Sequence, residues 1–254
     1  MKVTFYGGAK SVTGANHLLE IGGKRILIDC GMQQGSKEAT LWNYNDFKYD
    51  PKTIDYLFLT HAHIDHIGRV PKLVRDGFQG KIIATGPTID LAKLSLSDSA
   101  GIIARESTRL GKEPFFVMDD VIKAQKQYVK HNYHDKMDLG NGVQLEILNA
   151  GHVLGSAMFR FEHEGKSITF TGDLGNDPSP LIPPSSIVKQ TDYLVIESVY
   201  GNRNHDPSNI GSKLIKEIVL ETIERGGVLM IPTFSLERSQ VILYYLNNLI
   251  ESGE

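Results

Sequence analysis

Cys30 is the only cysteine in the chain, so no internal disulfide can form, and this fits a reducing, cytoplasmic setting. No apolar run approaches the ~18 residues that a membrane span requires. The opening Met1-Lys2-Val3-Thr4-Phe5-Tyr6-Gly7-Gly8 reads as a strand entering a turn, not as a signal peptide, and no membrane partner is expected. Positive charge is not in excess either. Lys and Arg total 27 against 30 Asp and Glu, a net charge of -3, which argues against a protein that coats nucleic acid by bulk electrostatics. A nuclease stays open, because bound cations and local Lys/Arg clusters can handle phosphates. The hydrophobic share of 41% and the length of 254 residues allow one or two domains with a sizeable core.

Against these absences stands Thr60-His61-Ala62-His63-Ile64-Asp65-His66, which holds three imidazoles and a carboxylate within six residues. Asp55 to Thr60 before it is an apolar run of strand length, and Ile67 to Val74 after it has apolar residues at helical spacing. The donors therefore sit on a loop leaving a strand tip, where His61 and His63 can turn to one point and Asp65 and His66 to a neighbouring one. Donors pressed together in this way repel and desolvate one another unless a cation holds them. Imidazole nitrogens and carboxylate oxygens are the ligands that zinc takes outside thiolate sites.

Along the chain, Lys2–Tyr6, His17–Ile21 and Arg25–Asp29 read as an antiparallel meander separated by glycines, with Asp29 at a strand end as either a turn residue or a group that orients the metal loop. Residues 32–54 read as loop, packed down by Trp42, Tyr44, Phe47 and Tyr49. A helix is expected from Pro87 to about Leu110, and another from an Asp119 cap to about Lys130 with Lys123, Lys126 and Lys130 on one solvated face. Strands follow at Val143–Asn149, Ala157–Glu162, Ser167–Thr171 and Tyr193–Glu197, and three of them end near a donor: His152, Asp173 and Glu197. Acids and His recurring at strand exits suggest one rim, and the alternation of strands and helices makes the chain α/β in the broad sense. After Gly201 a helix to about Arg225, a strand-like Gly227–Ile231 and a helix opening at Ser235 read as the start of a further domain.

With His61-x-His63-x-Asp65-His66, His152 and Asp173 assembled, the chain resembles metallo-β-lactamase-fold hydrolases along its whole length. The shared stretches include Val12–His17, Leu27–Gly31, Leu59–Gly68, Gly151–Ala157 and Thr171–Gly175. Ile196-Glu197-Ser198-Val199-Tyr200-Gly201-Asn202-Arg203 and Ile231–Gln240 narrow the likeness to β-CASP ribonucleases, relatives of the mRNA 3′-end processing endonuclease. The resemblance implies an αββα sandwich over residues 1–200 and the beginning of a β-CASP α/β domain over 201–254. It implies two zinc ions, one on His61, His63 and His152, a second on Asp65 and His66, with Asp173 bridging. Asp65, Asp173 and Glu197 would be the catalytic acids, and Asp29 the acid that supports the site.

What the resemblance implies for function is zinc-dependent hydrolysis of RNA, single-stranded so that it can thread a cleft, in a cytoplasmic protein whose dimerisation stays open. Val199 stands where that family usually has Thr. The family also completes its second zinc site with a His beyond the β-CASP domain, and after Asp173 this chain has only His205. An N-terminal fragment, weakly active or inactive, is therefore expected. The rival readings are a small-molecule hydrolase of glyoxalase or lactamase type, a non-catalytic subunit of an RNA-processing complex and a DNA-directed relative. His17, His131, His134, His163 and His205 are given no metal role.

Overall fold

The computed structural model describes residues 1–175, 179–204 and 208–253. His205 lies outside the described residues. Two sheets pack face to face. The first has six strands in chain order: β1 (Lys2–Gly7), β2 (Asn16–Ile21), β3 (Lys24–Ile28), β4 (Tyr56–Phe58), β5 (Lys81–Thr85) and β6 (Tyr128–His131). The glycine-separated meander is as the sequence predicts, with β1, β2 and β3 antiparallel, and β3 to β6 are parallel. The second sheet runs β11 (Tyr193–Val195), β10 (Lys166–Phe170), β9 (Ala157–His163), β8 (Gln144–Asn149), β7 (Lys136–Asp138).

Alternation along each strand decides the layers, since successive side chains leave opposite faces. Ile26, Ile28, Phe58 and Ile83 of the first sheet meet Leu145, Ile147, Phe159, Phe161 and Phe170 of the second in one dry interface. The residues one step out of phase, Leu27, Leu57, Ile82 and Ala84, face the other way. They pack on α2 (Ile64–Ile67), α3 (Val70–Arg75), α4 (Gly86–Leu110) and α5 (Met118–Gln125), through Val70, Leu73, Ile89, Leu96 and Val121 among others. The far side of the second sheet buries a smaller group, Leu148, Ala150 and Met158, against Leu174 and Val188.

Several sequence expectations need correcting. The 32–54 stretch contains a short helix, α1 (Lys37–Trp42), capped by the Ser36 hydroxyl, and a 3-10 turn at Pro51–Thr53. The helix near residue 119 stops at Gln125, and its entry is fixed by the Asp120 carboxylate accepting from the Val117 N–H at 3.0 Å, not by Asp119. Lys130 belongs to β6 and so shares no helix face with Lys123 and Lys126: pairing with the neighbouring strand overrode the local pattern. The strand-like 227–231 has no regular structure, whereas the flanking helices α6 (Ser208–Glu224) and α7 (Arg238–Ser252) form, α7 opening three residues later than the expected Ser235. A strand needs a neighbour for its ladder hydrogen bonds, and Val228 there is 93% exposed.

The inter-sheet interface supplies the rigidity that the rim relies on. Phe58 is fully buried, with Phe159 and Phe161 edge-on to it at ring-centroid distances of 5.1 and 5.4 Å. Phe58→Ala should lower the stability by about 3–5 kcal/mol, read as a shifted urea midpoint at constant slope.

Candidate metal centre

Asp29, His61, His152, Asp173 and Glu197 all leave strand ends on one rim. Asp29 follows β3 directly, at φ +61, and its N–H donates to the Phe58 carbonyl at 2.9 Å. Its carboxylate is buried and accepts from the Thr60 N–H and the Thr60 hydroxyl, both at 2.8 Å, and meets His66 Nδ1 at 2.7 Å. The Thr60 carbonyl takes the N–H of Ala157, the first residue of β9, at 2.7 Å, and so ties the two sheets together at this end. Thr60 was quoted in the sequence motif without a role. Its hydroxyl stands between Asp29 and His61 Nδ1, 3.0 Å from the latter. The position directly before the first His was the signal that could have found it.

From this anchor the donors converge. His61 Nε2 is 3.0 Å from His63 Nδ1, and His152 Nε2 is 3.3 Å from the same nitrogen. Asp173 Oδ2 lies 3.7 Å from His61 Nε2 and 3.6 Å from His152 Nε2, and the four donor atoms lie within 4.8 Å of one another. The other oxygen of Asp173, Oδ1, is 3.3 Å from His66 Nε2, which is 3.9 Å from Asp65 Oδ2. The six donors read from the sequence thus gather as two neighbouring groups that share the Asp173 carboxylate. Glu197 stays outside both. Its carboxylate accepts from the Leu174 N–H at 3.4 Å and the Val199 N–H at 3.1 Å, next to Asp173 rather than among the donors.

Close backbone contacts make this convergence possible. A Cβ on Gly31 would stand 1.6 Å from the Asp65 carbonyl oxygen, and one on Gly175 would stand 1.6 Å from that of Gly151. Only glycine lets the Asp29 loop lie against the Asp65 loop, and the Asp173 loop against the His152 loop. The Ser156 hydroxyl then accepts from the N–H groups of His152 and Val153 at 2.9 and 3.2 Å and closes the His152 loop.

The electrostatics fit a cation. Burial holds the His61 imidazolium well below its ordinary range, with His66, His152 and His63 adding to the effect. Burial likewise lowers His63, and pushes His152 down to about 4 although Asp173 opposes it. All three are therefore neutral at pH 7, with lone pairs crowded at about the 3.3 Å that two nitrogens take when each binds one zinc tetrahedrally at about 2.0–2.1 Å. His66 behaves oppositely. Burial alone would lower it, but the Asp29 charge and hydrogen bonds with Asp173 and Asp29 outweigh that, so its pKa is raised well above normal. Burial raises Asp65. Asp173 would also rise by burial, yet the hydrogen bond from His66 and the charge of His66 bring it below its ordinary value. The donor set, all nitrogen and oxygen, suits a divalent metal.

The remaining described His residues are not among the donors, although His17 lies near enough to Asp29 and His66 for their charges to act on it. His131 faces Asp135 at 3.2 Å, and His17 packs its ring between Phe5 and Phe170.

Comparison with known proteins agrees with this geometry. The sequence profile of the metallo-beta-lactamase superfamily matches residues 14–209. Ribonuclease TTHA0252 of Thermus thermophilus is 39% identical over 246 residues, 97% of this chain and 54% of the relative. Transcription termination factor FttA of Methanosarcina mazei is 34% identical over 264 residues, 100% of this chain and 40% of the relative. The chain thus spans about half or less of the length of these curated relatives. A protein of unknown function from Enterococcus faecalis V583 shares the fold, with a TM-score of 0.57 over 87% of this chain and 57% of that one at 18% identity. Among the described residues, no helix is long and apolar enough to cross a membrane.

Asp29→Ala would leave the buried Thr60 N–H and His66 Nδ1 without their acceptor and take from the Thr60 hydroxyl one of its two partners. A loss of about 3–5 kcal/mol is expected from removing one member of such a buried charged pair. Urea unfolding in a chelator, so that metal binding does not enter, measures it; a loss under 1 kcal/mol would show that the carboxylate does not organise the rim.

Proposed function

Because the chain belongs to the metallo-beta-lactamase superfamily, we propose that it hydrolyses RNA phosphodiester bonds and draws on two zinc ions to do so. The observation that carries the reading is the meeting of His61, His63, His152 and Asp173 within 4.8 Å, in a chain 39% identical to a protein named as a ribonuclease. His61, His63 and His152 would hold one ion, and Asp65 and His66 a second, with Asp173 serving both. When bound, the ions supply Lewis-acid charge that acidifies a water and neutralises a phosphoryl group.

The chain's own residues do the rest. Asp29 engages His66 Nδ1 and leaves Nε2 turned to the centre, and Thr60 does the same for His61 through its hydroxyl. Such outer partners raise ligand basicity and fix ring orientation. Asp65 accepts the proton that the attacking water gives up. Glu197 holds the Leu174 backbone and so keeps the Asp173 carboxylate aimed. A single-stranded substrate suits this rim, since unpaired RNA can splay a phosphate towards a site that a regular duplex would hold away.

Two measurements test the reading together. Elemental analysis after dialysis should find at least about one zinc ion per chain, and His63→Ala and Asp173→Ala should each lower that content sharply. Labelled RNA and DNA of one sequence should then be compared, with cleavage of the RNA abolished by chelation and restored by zinc. A chain that retains no metal would overturn the hydrolase reading, and cleavage of DNA alone would overturn the choice of substrate.

A further inference from the structure

The carboxylate of Glu197 fixes a turn as well as a loop. Beyond its two bonds, the Gly201 N–H donates to the Ser198 carbonyl at 3.0 Å and the Arg203 N–H to the Tyr200 carbonyl at 3.2 Å. The compact 197–203 segment that results is tied to the neighbour of Asp173. On its surface the Arg203 guanidinium carbon lies 4.5 Å from the centroid of the Tyr200 ring. Both residues are exposed, Tyr200 by 44%. Tyr200 lies three positions after Glu197, at most about 10 Å of extended chain.

A lone exposed tyrosine needs no explanation. This one differs in two respects: a guanidinium stacks on it, and the turn that carries both residues is tethered beside the donor cluster. An aromatic face on a firm turn gives a base something to stack on whatever its identity. The guanidinium that backs the ring strengthens the pair through the ring quadrupole, and its N–H fork matches a phosphate.

We propose that Tyr200 and Arg203 form a nucleobase subsite, with the ring stacking on a base of single-stranded RNA close to the scissile phosphate and Arg203 contacting a neighbouring phosphate. The subsite rests on the RNA reading above. It gives that reading what the metal donors lack, a contact made with the base rather than with the phosphate.

The test is a titration of the zinc-loaded chain with a short single-stranded RNA carrying 2-aminopurine, whose fluorescence is quenched on stacking. The wild-type protein should quench the probe. Tyr200→Ala should lose the quenching and weaken binding roughly ten-fold, as alanine replacement of a stacking platform does, while Tyr200→Trp should retain both. Arg203→Ala should weaken binding and flatten its dependence on salt. Zinc content is measured for every variant. Wild-type binding with equal quenching by Tyr200→Ala overturns the subsite and leaves the RNA reading standing. Absence of RNA binding by the wild type overturns the RNA reading, and the subsite with it. Loss of zinc together with binding in Tyr200→Ala overturns the subsite by assigning the tyrosine to the framework.

Discussion

The buried carboxylate of Asp29 is the constraint on which the rim depends. A charge taken out of water is tolerated only when its lone pairs are matched, and here three donors match it: the Thr60 N–H, the Thr60 hydroxyl and His66. Each of those partners is itself committed. Thr60 precedes His61, the first donor of the cluster, and holds the opposite sheet through Ala157. His66 turns its remaining nitrogen to Asp173. One strand-end acid therefore joins the first sheet, the His61–His66 loop and, by way of Asp173, the second sheet. The left-handed backbone of Asp29 belongs to the same device, since it swings the side chain across the end of β4 instead of along its own strand.

The rest of the fold sustains an arrangement that is unfavourable by itself. Three neutral imidazoles with facing lone pairs, and acids close by, do not gather spontaneously in a low-dielectric place. The aromatic interface of Phe58, Phe159, Phe161 and Phe170 fixes the distance between the sheets. Contacts at Gly31 and Gly175 then leave the loops no slack. The body of the sandwich thus supplies the rigidity that lets the rim hold its donors together, as a site ready before its ligand arrives requires.

The donors were legible because their chemistry is local: six residues of sequence hold four of them, and the other two follow strands of clear alternation. The antiparallel meander was legible for a similar reason, since glycine pairs punctuate it. What escaped depends on neighbours distant in sequence. Tyr128–His131 reads as the tail of a helix until β5 is beside it. The role of Thr60 exists only once Asp29, 31 residues earlier, reaches it. Glu197 could be picked out as a strand-end acid, but not the backbone N–H groups that it holds, because backbone donors carry no sequence signature.

The stretch 227–234 makes the same point from the opposite side. Its residues have strong strand character, yet Val228, Met230 and Phe234 are 93%, 87% and 83% exposed. Propensity for a pleated surface is a preference for cross-strand neighbours and burial more than for a backbone shape. Where the described residues offer no ladder, that preference has nothing to act on, and the segment stays irregular between two helices whose own hydrogen bonds are internal. Helices α6 and α7 therefore form without the help of a neighbour, while a segment of strand character with no partner strand does not become one.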